Sequence, residues 1–460
     1  MNSFKVAITA LLFFFLSPQL LTGQDGWQKL FNGQNLEGWH ILNGTADYYV
    51  EDGVIVGEAV PHSPNTFLST EEHYGDFILE FEVYLDNEMN SGVQIRSHSK
   101  PSYRDGRVHG YQVEIDPSPR AWSGGIYDEA RRGWLYPLTR NERARPAFRN
   151  ARWNHFRIEA IGHTINTWVN GVHTTRLVDD MTASGFIGLQ VHSINDEELA
   201  GARVKWRNLR IRTQNVEAYK KPRDPWVDEV SYLKNELSEL EKRKGWRLLW
   251  DGETSDGWRG ANLDGFPSGG WVIEDGVLSV LATDGGEATG PGDIITEKLF
   301  SDFELELEFK ITEGANSGIK YYVDPVLNQG EGSAIGAEFQ ILDDQRHPDA
   351  VQGVNGNRTV GSLYDLIAAE NLSAPERGKP FNGPGSWNKA RIVSKDGHVE
   401  HWMNNAKIVE YDRFSQMFRA LVAYSKYEVW DGFAQWPEGH ILLQDHGNEV
   451  SFRSIKIREL

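Results

Sequence analysis

The chain has 460 residues, no cysteine and a formal net charge of −19, from 47 Lys and Arg against 66 Asp and Glu. This charge disfavours nucleic acid and anionic lipid as partners, because both carry phosphates that the chain would repel. The lack of cysteine excludes disulfides, thiolate zinc sites and cysteine nucleophiles. With 39% hydrophobic residues, the chain is expected to form two or three domains with sizeable cores.

The N-terminal segment predicts a signal peptide over residues 1–23. Lys5 precedes an apolar run over residues 6–16, and Ser17-Pro18 ends that run. The run is short for a membrane helix of about 20 residues. We therefore expect a periplasmic or secreted bacterial protein with no membrane span after signal cleavage.

The second half of the chain repeats the first. Gly26-Trp-Gln-Lys-Leu-Phe-Asn-Gly returns as Gly245-Trp-Arg-Leu-Leu-Trp-Asp-Gly. Further matches follow in one order: Glu51-Asp-Gly-Val with Glu274-Asp-Gly-Val, Asp76-Phe77 with Asp302-Phe303, Asn90-Ser-Gly with Asn316-Ser-Gly, Tyr127-Asp128 with Tyr364-Asp365, Trp153-Asn154 with Trp387-Asn388, and Leu189-Gln-Val-His with Leu443-Gln-Asp-His. A repeat of this length indicates a duplicated domain rather than a solenoid. The predicted organisation is one domain over 26–212, a linker over 213–244 and a second domain over 245–460.

Each unit has the pattern of an all-β sandwich. Apolar residues alternate with Glu and Lys along residues 303–311, and less strictly along 77–85, which predicts strands with one core face and one solvated face. Turn signals such as Asn170-Gly171 separate short β-rich runs. Helix is expected mainly in the linker, where apolar residues recur at helical spacing over 225–244.

A polar pocket is predicted where one strand of each unit carries a carboxylate and a carboxamide. Gln112 and Glu114 share a strand face in the first unit, and Glu338 and Gln340 take the same places in the second. The carboxylate and the carboxamide exchange positions between the units, but each unit keeps one of each. Side chains on a solvated surface are not expected to keep such a pair, so we interpret it as the lining of a pocket.

A late strand of each unit places a glutamine and a histidine on one face: Gln190 with His192, and Gln444 with His446. An imidazole exchanges protons near neutral pH and can act as a base, although a lone histidine is more often a structural hydrogen-bonding group. His401 has Thr167 as its counterpart, so it is specific to the second unit.

Three further features bear on chemistry. Asn90-Ser-Gly and Asn316-Ser-Gly are typical of turns, and the strands after them carry Arg96 and Lys320, either of which could stabilise an oxyanion. Tyr127 and Tyr364 could donate a proton or a hydrogen bond. The oxygen-rich set of carboxylates, amides and histidine is also compatible with Ca²⁺, Mg²⁺ or Mn²⁺, and less so with Zn²⁺; Glu338, Asp343 and His446 are the candidate ligands.

Together these motifs resemble the bacterial 3-keto-disaccharide hydrolase domain family, which has a concanavalin A-like jelly-roll fold. The resemblance covers residues 26–212 and 245–460 and rests on Gly-Trp-x-x-Leu-Phe-x-Gly, Asn-Ser-Gly, Gly110-Tyr-Gln-Val-Glu-Ile-Asp, Gly124-Gly-Ile-Tyr-Asp, Trp-Asn and Leu-Gln-x-His. It implies two tandem jelly rolls that act on glycosides whose sugar carries a ketone at carbon 3. It implies no organic cofactor, because the oxidation that makes the ketone would belong to a separate dehydrogenase.

The ketone makes the proton on carbon 2 acidic, so a base and an oxyanion stabiliser suffice to expel the substituent on carbon 1. His192 or His446 is the expected base, with Glu114 or Glu338 as orienting group or alternative base. Arg96, Lys320 or a divalent ion would stabilise the enolate, and Tyr127 or Tyr364 would protonate the leaving oxygen. Gln112, Gln190, Gln340, Gln444 and His401 are the remaining expected substrate contacts, and the second unit is the favoured catalytic unit.

Two other functions fit the same fold. A jelly roll also serves as a carbohydrate-binding module, which would bind sugar without turning it over. An ordinary glycosidase would cleave the unoxidised glycoside, but it needs a pair of flanking carboxylates, and each predicted pocket offers one obvious carboxylate.

Overall fold

The computed structural model describes residues 26–86, 88–195, 197–283, 292–328 and 333–460. The predicted signal peptide, residues 1–23, lies outside the described residues. Within the described ranges, no helix has the length and apolar character needed to cross a membrane.

The first unit is a sandwich of two sheets. Its strands are β1 (Gln28–Lys29), β2 (Trp39–Asn43), β3 (Asp47–Glu51), β4 (Val54–Glu58), β5 (Thr66–Thr70), β6 (Phe77–Leu85), β7 (Ser91–His98), β8 (His109–Ile115), β9 (Ile126–Glu129), β10 (Gly133–Tyr136), β11 (Asn154–Ile161), β12 (Thr164–Val169), β13 (Val172–Val178), β14 (Phe186–Val191) and β15 (Arg203–Arg212). One sheet has the order β10-β9-β8-β7-β14-β5-β2 and is called the site sheet below. The opposite sheet has the order β13-β12-β11-β6-β15-β4-β3, with β1 paired to β15.

The second unit repeats this architecture. It comprises β17 (Arg247–Leu248), β18 (Trp258–Gly260), β19 (Trp271–Glu274), β20 (Val277–Val280), β21 (Ile294–Thr296), β22 (Phe303–Ile311), β23 (Asn316–Asp324), β24 (Ile335–Leu342), β25 (Asn388–Lys395), β26 (His398–Met403), β27 (Ala406–Asp412), α2 (Gln416–Ala423), β28 (His440–Leu443) and β29 (Val450–Glu459). Its site sheet has the order β18-β21-β28-β23-β24, and its opposite sheet has the order β19-β20-β29-β22-β25-β26-β27. The prediction of two tandem β-sandwiches is therefore confirmed.

The predicted alternation along β6 and β22 forms the core of each sandwich. Phe303, Leu305, Leu307 and Phe309 are all at most 1% exposed and pack between the sheets of the second unit. The equivalent side chains of β6 do the same in the first unit.

The other face of β22 is not solvated, contrary to the prediction. Glu304, Glu306 and Glu308 are all buried. Glu304 accepts hydrogen bonds from Arg391 Nε at 2.5 Å and Arg458 Nε at 2.6 Å. Alternation shows that a strand has two different faces, but it does not show that arginines and a neighbouring segment will cover the polar one.

The linker differs from the predicted long helix. Only α1 (Glu239–Arg243) is α-helical, and it begins with a capping box in which Ser238 and Glu241 bond reciprocally. Val230–Ser231 forms strand β16, which pairs in parallel with β13 of the first unit. Val230 is buried in the first core while Trp226 is 73% exposed, so tertiary burial rather than helical periodicity decides this segment.

Candidate functional site

A cavity of about 220 Å³ opens on the site sheet of the second unit. It brings together six of the side chains predicted from the sequence: Lys320, Glu338, Gln340, Tyr364, Gln444 and His446. Strands β23, β24 and β28 lie side by side, and their alternate residues face the cavity.

Glu338 lies in this cavity and is 4% exposed. Lys320, its partner across the β23–β24 pair, places Nζ 3.8 Å from a carboxylate oxygen of Glu338. Burial raises the pKa of Glu338, although Lys320 and Lys426 oppose this effect. A carboxylate with weak ionic pairing in such a place is suited to accept a proton.

The Asn-Ser-Gly motif makes room for this carboxylate. A Cβ atom on Gly318 would lie 2.1 Å from Glu338 Oε1, so the Glu338 side chain can hold its present position only because residue 318 is glycine. Asn316, the first residue of the motif, accepts a hydrogen bond from Gln340 Nε2 at 3.2 Å. The motif therefore forms part of the cavity wall rather than a simple turn.

Two buried amide oxygens lack partners in the cavity. Gln340 Oε1 and Gln444 Oε1 accept no hydrogen bond from any described residue, and both side chains are at most 5% exposed. A buried polar atom without a partner costs about 1–3 kcal/mol, which a ligand with hydroxyl donors would offset. The hydroxyl groups of a sugar fit this requirement.

His446 is half-buried on the cavity wall, and its ring lies 6.1 Å from that of His347. Tyr364 is also half-buried, and its hydroxyl donates to Asp349 Oδ2 at 2.7 Å. Burial and the bond to Asp349 raise the pKa of Tyr364. The tyrosine proton is therefore directed to Asp349 rather than into the cavity.

A segment between β27 and β28 covers one side of the cavity and supplies Lys426, Tyr427 and Trp430. It contains α2, whose N-terminus is capped by Ser415 Oγ accepting from the Phe418 amide at 3.0 Å. Lys426 Nζ lies 4.2 Å from the centre of the Tyr364 ring. We call residues 413–439 the cover segment.

The corresponding carboxylate of the first unit is already engaged. Glu114 Oε1 accepts from Asn90 Nδ2 and from Arg120 Nη2, both at 2.7 Å, and Gln112 Nε2 donates to Oε2 at 3.1 Å. Arg120 also bonds Asp116 at 2.6 Å. Burial raises the pKa of Glu114 although Arg120 opposes it.

Aromatic rings pack around the arginine that pairs with Glu114. The Arg120 guanidinium lies 4.8 Å from the Trp122 ring centre and 4.9 Å from that of Trp134, and Tyr127 packs on Trp134. Gln190 is fully buried, and its amide atoms have no partner among the described residues. His192 is half-buried and hydrogen bonds the Ser193 carbonyl at 2.7 Å.

The structure places Arg96 away from the predicted site. A β-bulge gives Arg96 a φ of 47°, which turns its side chain off the site face; it donates to Gly75 O at 2.9 Å and pairs with Asp76 at 3.0 Å. The strand register makes Gln94, not Arg96, the counterpart of Lys320. Spacing alone did not reveal the bulge.

His401 is also structural. It is completely buried between the sheets, where Nε2 hydrogen bonds the Tyr321 hydroxyl at 2.7 Å and Nδ1 the Gly361 carbonyl at 3.0 Å. Burial lowers the pKa of His401 to about 4. Its counterpart Thr167 bonds the Gly124 carbonyl in the same way, at 2.6 Å.

The predicted metal ligands do not converge. Asp343 follows the end of β24 and accepts from the Gly314 amide at 2.8 Å, while Glu338 and His446 line the cavity. Across the described ranges, the group of acidic and histidine side chains with ligand atoms within 4.8 Å of one another is instead His398, Glu400 and Glu410. Lys407 already pairs with both glutamates there, at 2.8 and 2.7 Å.

Comparison with known families finds the same domain twice in the chain. The sequence profile of the 3-keto-alpha-glucoside-1,2-lyase-like domain matches residues 26–212 and again residues 245–458. The chain belongs to this family. It contains two copies of the lyase-like domain in tandem.

Individual relatives of the lyase-like domain cover about one copy. A 3-keto-disaccharide hydrolase from Bacteroides thetaiotaomicron is 37% identical over 240 residues, which are 47% of this chain and 79% of that protein. A crystal structure from Parabacteroides distasonis, described as a candidate glycosyl hydrolase, is 30% identical, covers 49% of this chain and 99% of that chain, and has a TM-score of 0.41. A second structure from that organism is 25% identical, with 47% and 99% covered and a TM-score of 0.36. The homology supports a carbohydrate-active protein.

The two lyase-like copies differ most in the cover segment. The sequence between Asn388 and Leu443 is about 20 residues longer than that between Asn154 and Leu189. Motif matching missed Lys426 and Tyr427 because the first copy has no counterpart for them, and this length difference is the feature of the sequence that could have indicated them.

Proposed function

We propose that the cavity of the second unit cleaves 3-keto-glycosides by elimination across carbons 1 and 2. The observation that carries this proposal is the buried carboxylate of Glu338, raised in pKa and 3.8 Å from the Lys320 ammonium, in a cavity with unpartnered amide acceptors. The family and the named hydrolase relative support the substrate class.

In the proposed reaction, Glu338 removes the proton from carbon 2, and the electron pair moves onto the carbon-3 oxygen to give an enolate. Lys320 stabilises that oxygen by charge. The enolate then returns to the ketone, a double bond forms between carbons 1 and 2, and the substituent on carbon 1 leaves with its oxygen. Water can add to this product, which makes the net reaction a hydrolysis.

His446 is the proposed donor of the proton to the leaving oxygen, and it is the alternative base. It is half-buried on the wall of the cavity. Tyr364 is better suited to positioning, because its hydroxyl already donates to Asp349. Gln340 and Gln444 are proposed to accept hydrogen bonds from sugar hydroxyls.

Product analysis tests this function. The protein is mixed with a 3-keto-glucoside and, separately, with the unoxidised glucoside, each with and without a chelator. We expect release of the aglycone from the keto form only, and the chelator arm decides whether a divalent ion takes part. Release from both sugars would favour an ordinary glycosidase, and binding without release would favour a carbohydrate-binding protein.

We also propose that the protein is exported, with residues 1–23 as the signal. The support is the short apolar run after Lys5. Cell fractionation with an antibody to the second unit tests this, and a protein of full length in the cytoplasm would contradict it.

A further inference from the structure

A buried polar chain lies behind the cavity of the second unit. Lys320 Nζ donates to Ser333 Oγ, and Ser333 Oγ in turn donates to Asp293 Oδ2. Lys320 Nζ also donates to the Ala334 carbonyl at 3.2 Å. Lys320 and Asp293 are each 6% exposed, so the ammonium and its acid are both withdrawn from water.

Asp293 is itself fixed in place by the backbone. Its oxygens accept from the Asp445 amide at 3.0 Å and from the Ala334 amide at 3.2 Å. Asp445 follows the end of β28, so Asp293 connects this strand end with the residues that hold Lys320. Asp293 does not belong to the cavity lining, whereas Ser333 and Lys320 do.

The first unit lacks both charges of this pair. In its site sheet, Gln94 takes the place of Lys320, since Gln94 pairs with Gln112 as Lys320 pairs with Glu338. Phe67 takes the place of Asp293, because it precedes Leu68 as Asp293 precedes Ile294, and both following residues pair with matching leucines. The lysine and the aspartate therefore occur together in one copy and are absent together from the other.

Burying an ammonium without an anion favours its neutral form. Two acidic side chains lie near Lys320 Nζ. A carboxylate oxygen of Glu338, in the cavity, is 3.8 Å away, and Asp293, behind the cavity, is linked to Nζ through the Ser333 hydroxyl. The hydrogen-bonded chain goes to Asp293, which leaves Glu338 without a direct hydrogen bond from the ammonium. The other titratable groups around the cavity are His446, Lys426, Tyr364 and Tyr427.

We propose that Asp293 is a positioning residue that, through Ser333, holds the Lys320 ammonium behind the cavity and directs it away from Glu338. Glu338 then remains free to act as a base while Lys320 remains a cation for the enolate. The assignment of these two roles rests on the proposed function, but the coupling between Asp293 and Lys320 does not.

The coupling is tested without substrate by competitive acetylation. The folded protein reacts with a trace of acetic anhydride at one fixed pH, and peptide mass spectrometry gives the acetylation rate of Lys320 relative to that of an exposed lysine. In Asp293→Asn we expect this relative rate to rise by about threefold or more, because a neutral amide holds the Ser333 hydroxyl, and through it Lys320 Nζ, less strongly than the carboxylate does. Ser333→Ala, which removes the linking hydroxyl, should raise the rate as well, and it carries the test if Asp293→Asn fails to fold by circular dichroism. Asp264→Asn, an exposed residue, is the matched control and should leave the rate unchanged.

An unchanged acetylation rate of Lys320 in the folded variants would overturn the proposal. Turnover of a 3-keto-glucoside gives the second readout: Asp293→Asn should lower kcat about tenfold with a smaller change in KM. It should also shift the acid limb of the kcat/KM profile to lower pH, because Asp293 is a negative charge near Glu338. If the wild-type protein shows no turnover, the proposed function fails, while the acetylation rate of Lys320 still decides whether Asp293 positions Lys320.

Discussion

At the scale of single residues, the two units use the same kinds of side chain with different outcomes. Glu114 is neutralised by Arg120, while Glu338 faces a cavity and has Lys320 at 3.8 Å. The exchange of carboxylate and amide along one strand was visible in the sequence. The guanidinium that pairs with Glu114 was not visible there, because Arg120 comes from a loop after the strand.

The replacement of Glu338 by Gln, compared with the matched change in the first unit, tests which unit is catalytic. We expect Glu338→Gln to lose about 100-fold or more in kcat on a 3-keto-glucoside, because the amide cannot accept the carbon-2 proton. The matched change Glu114→Gln should leave kcat within about twofold. Initial rates of aglycone release measure kcat for both variants. Equal losses of kcat in the two variants would contradict the assignment of catalysis to the second unit. His446→Ala and His192→Ala, assayed alongside, show whether a histidine is the base instead.

The activity should also depend on pH in a defined direction. Burial raises the pKa of Glu338, and the base must be ionised, so kcat/KM should fall as the pH drops through a value above the ordinary 4.5. In Lys320→Gln the acid limb should move further up, since the lysine charge opposes the shift. If the acid limb of the wild-type kcat/KM profile has its midpoint at or below pH 4.5, the assignment of Glu338 as the base is contradicted.

At the scale of elements, close packing of neighbouring strands shapes the site. The β23–β24 pair places Gly318 against the Glu338 side chain, and the cover segment between β27 and β28 adds the wall that the first unit lacks. The alternating pattern predicted strands β22 and β24 correctly, but the apolar spacing of the linker predicted a helix that is largely absent. Val230–Ser231 instead forms a strand, because the edge of β13 has backbone groups free to pair with it.

Gly318→Ala tests the contact between β23 and β24. The added Cβ would lie 2.1 Å from Glu338 Oε1, so the carboxylate must move. We expect a loss of about 1–3 kcal/mol in the free energy of unfolding and a clear loss of activity. Urea unfolding and initial rates measure the two effects. Gly269→Ala, where the new Cβ meets no atom within 4 Å, is the control and should change neither.

At the scale of the whole molecule, the linker covers the polar face of β22, and Arg140 of the first unit lines the same small cavity as Glu304 and Glu306. Lys456 reaches Glu306 at 3.4 Å and bonds Glu241 of α1, and Lys389 Nζ donates to the Ser231 carbonyl at 2.5 Å. Burial raises the pKa of Glu306, but Lys389 and Lys456 outweigh it and hold that pKa well below its usual value. The linker therefore contacts the second unit through a buried ionic cluster.

Lys456→Met removes the charge at the centre of this cluster while keeping much of the side-chain bulk. We expect the free energy of unfolding to fall by about 3–5 kcal/mol, because Glu306 and Glu241 stay buried with less compensation. Lys298→Met, which removes an exposed pair with Glu459, is the control and should cost less than about 1 kcal/mol. Urea unfolding at neutral pH measures both.

The pH dependence of this loss provides a second check. A carboxylate with a lowered pKa stabilises the fold above its unfolded value of 4.5, and that stabilisation disappears as the pH falls through the folded pKa. The difference between the wild-type protein and Lys456→Met should therefore shrink on acidification below about pH 4.5. A constant difference down to acidic pH would show that Glu306 does not control this interface.

The sequence alone determined the duplication, the β-sandwich class and six side chains of the cavity, because repeats and alternating strands are local patterns that survive in the order of residues. Only the tertiary structure decided what each of these side chains meets. The bulge at Arg96, the burial of His401 between the sheets, Arg120 on Glu114 and Asp293 behind Lys320 all depend on contacts between distant segments. Such contacts set burial and charge, and these two quantities separate a carboxylate that can act as a base from one that is already paired.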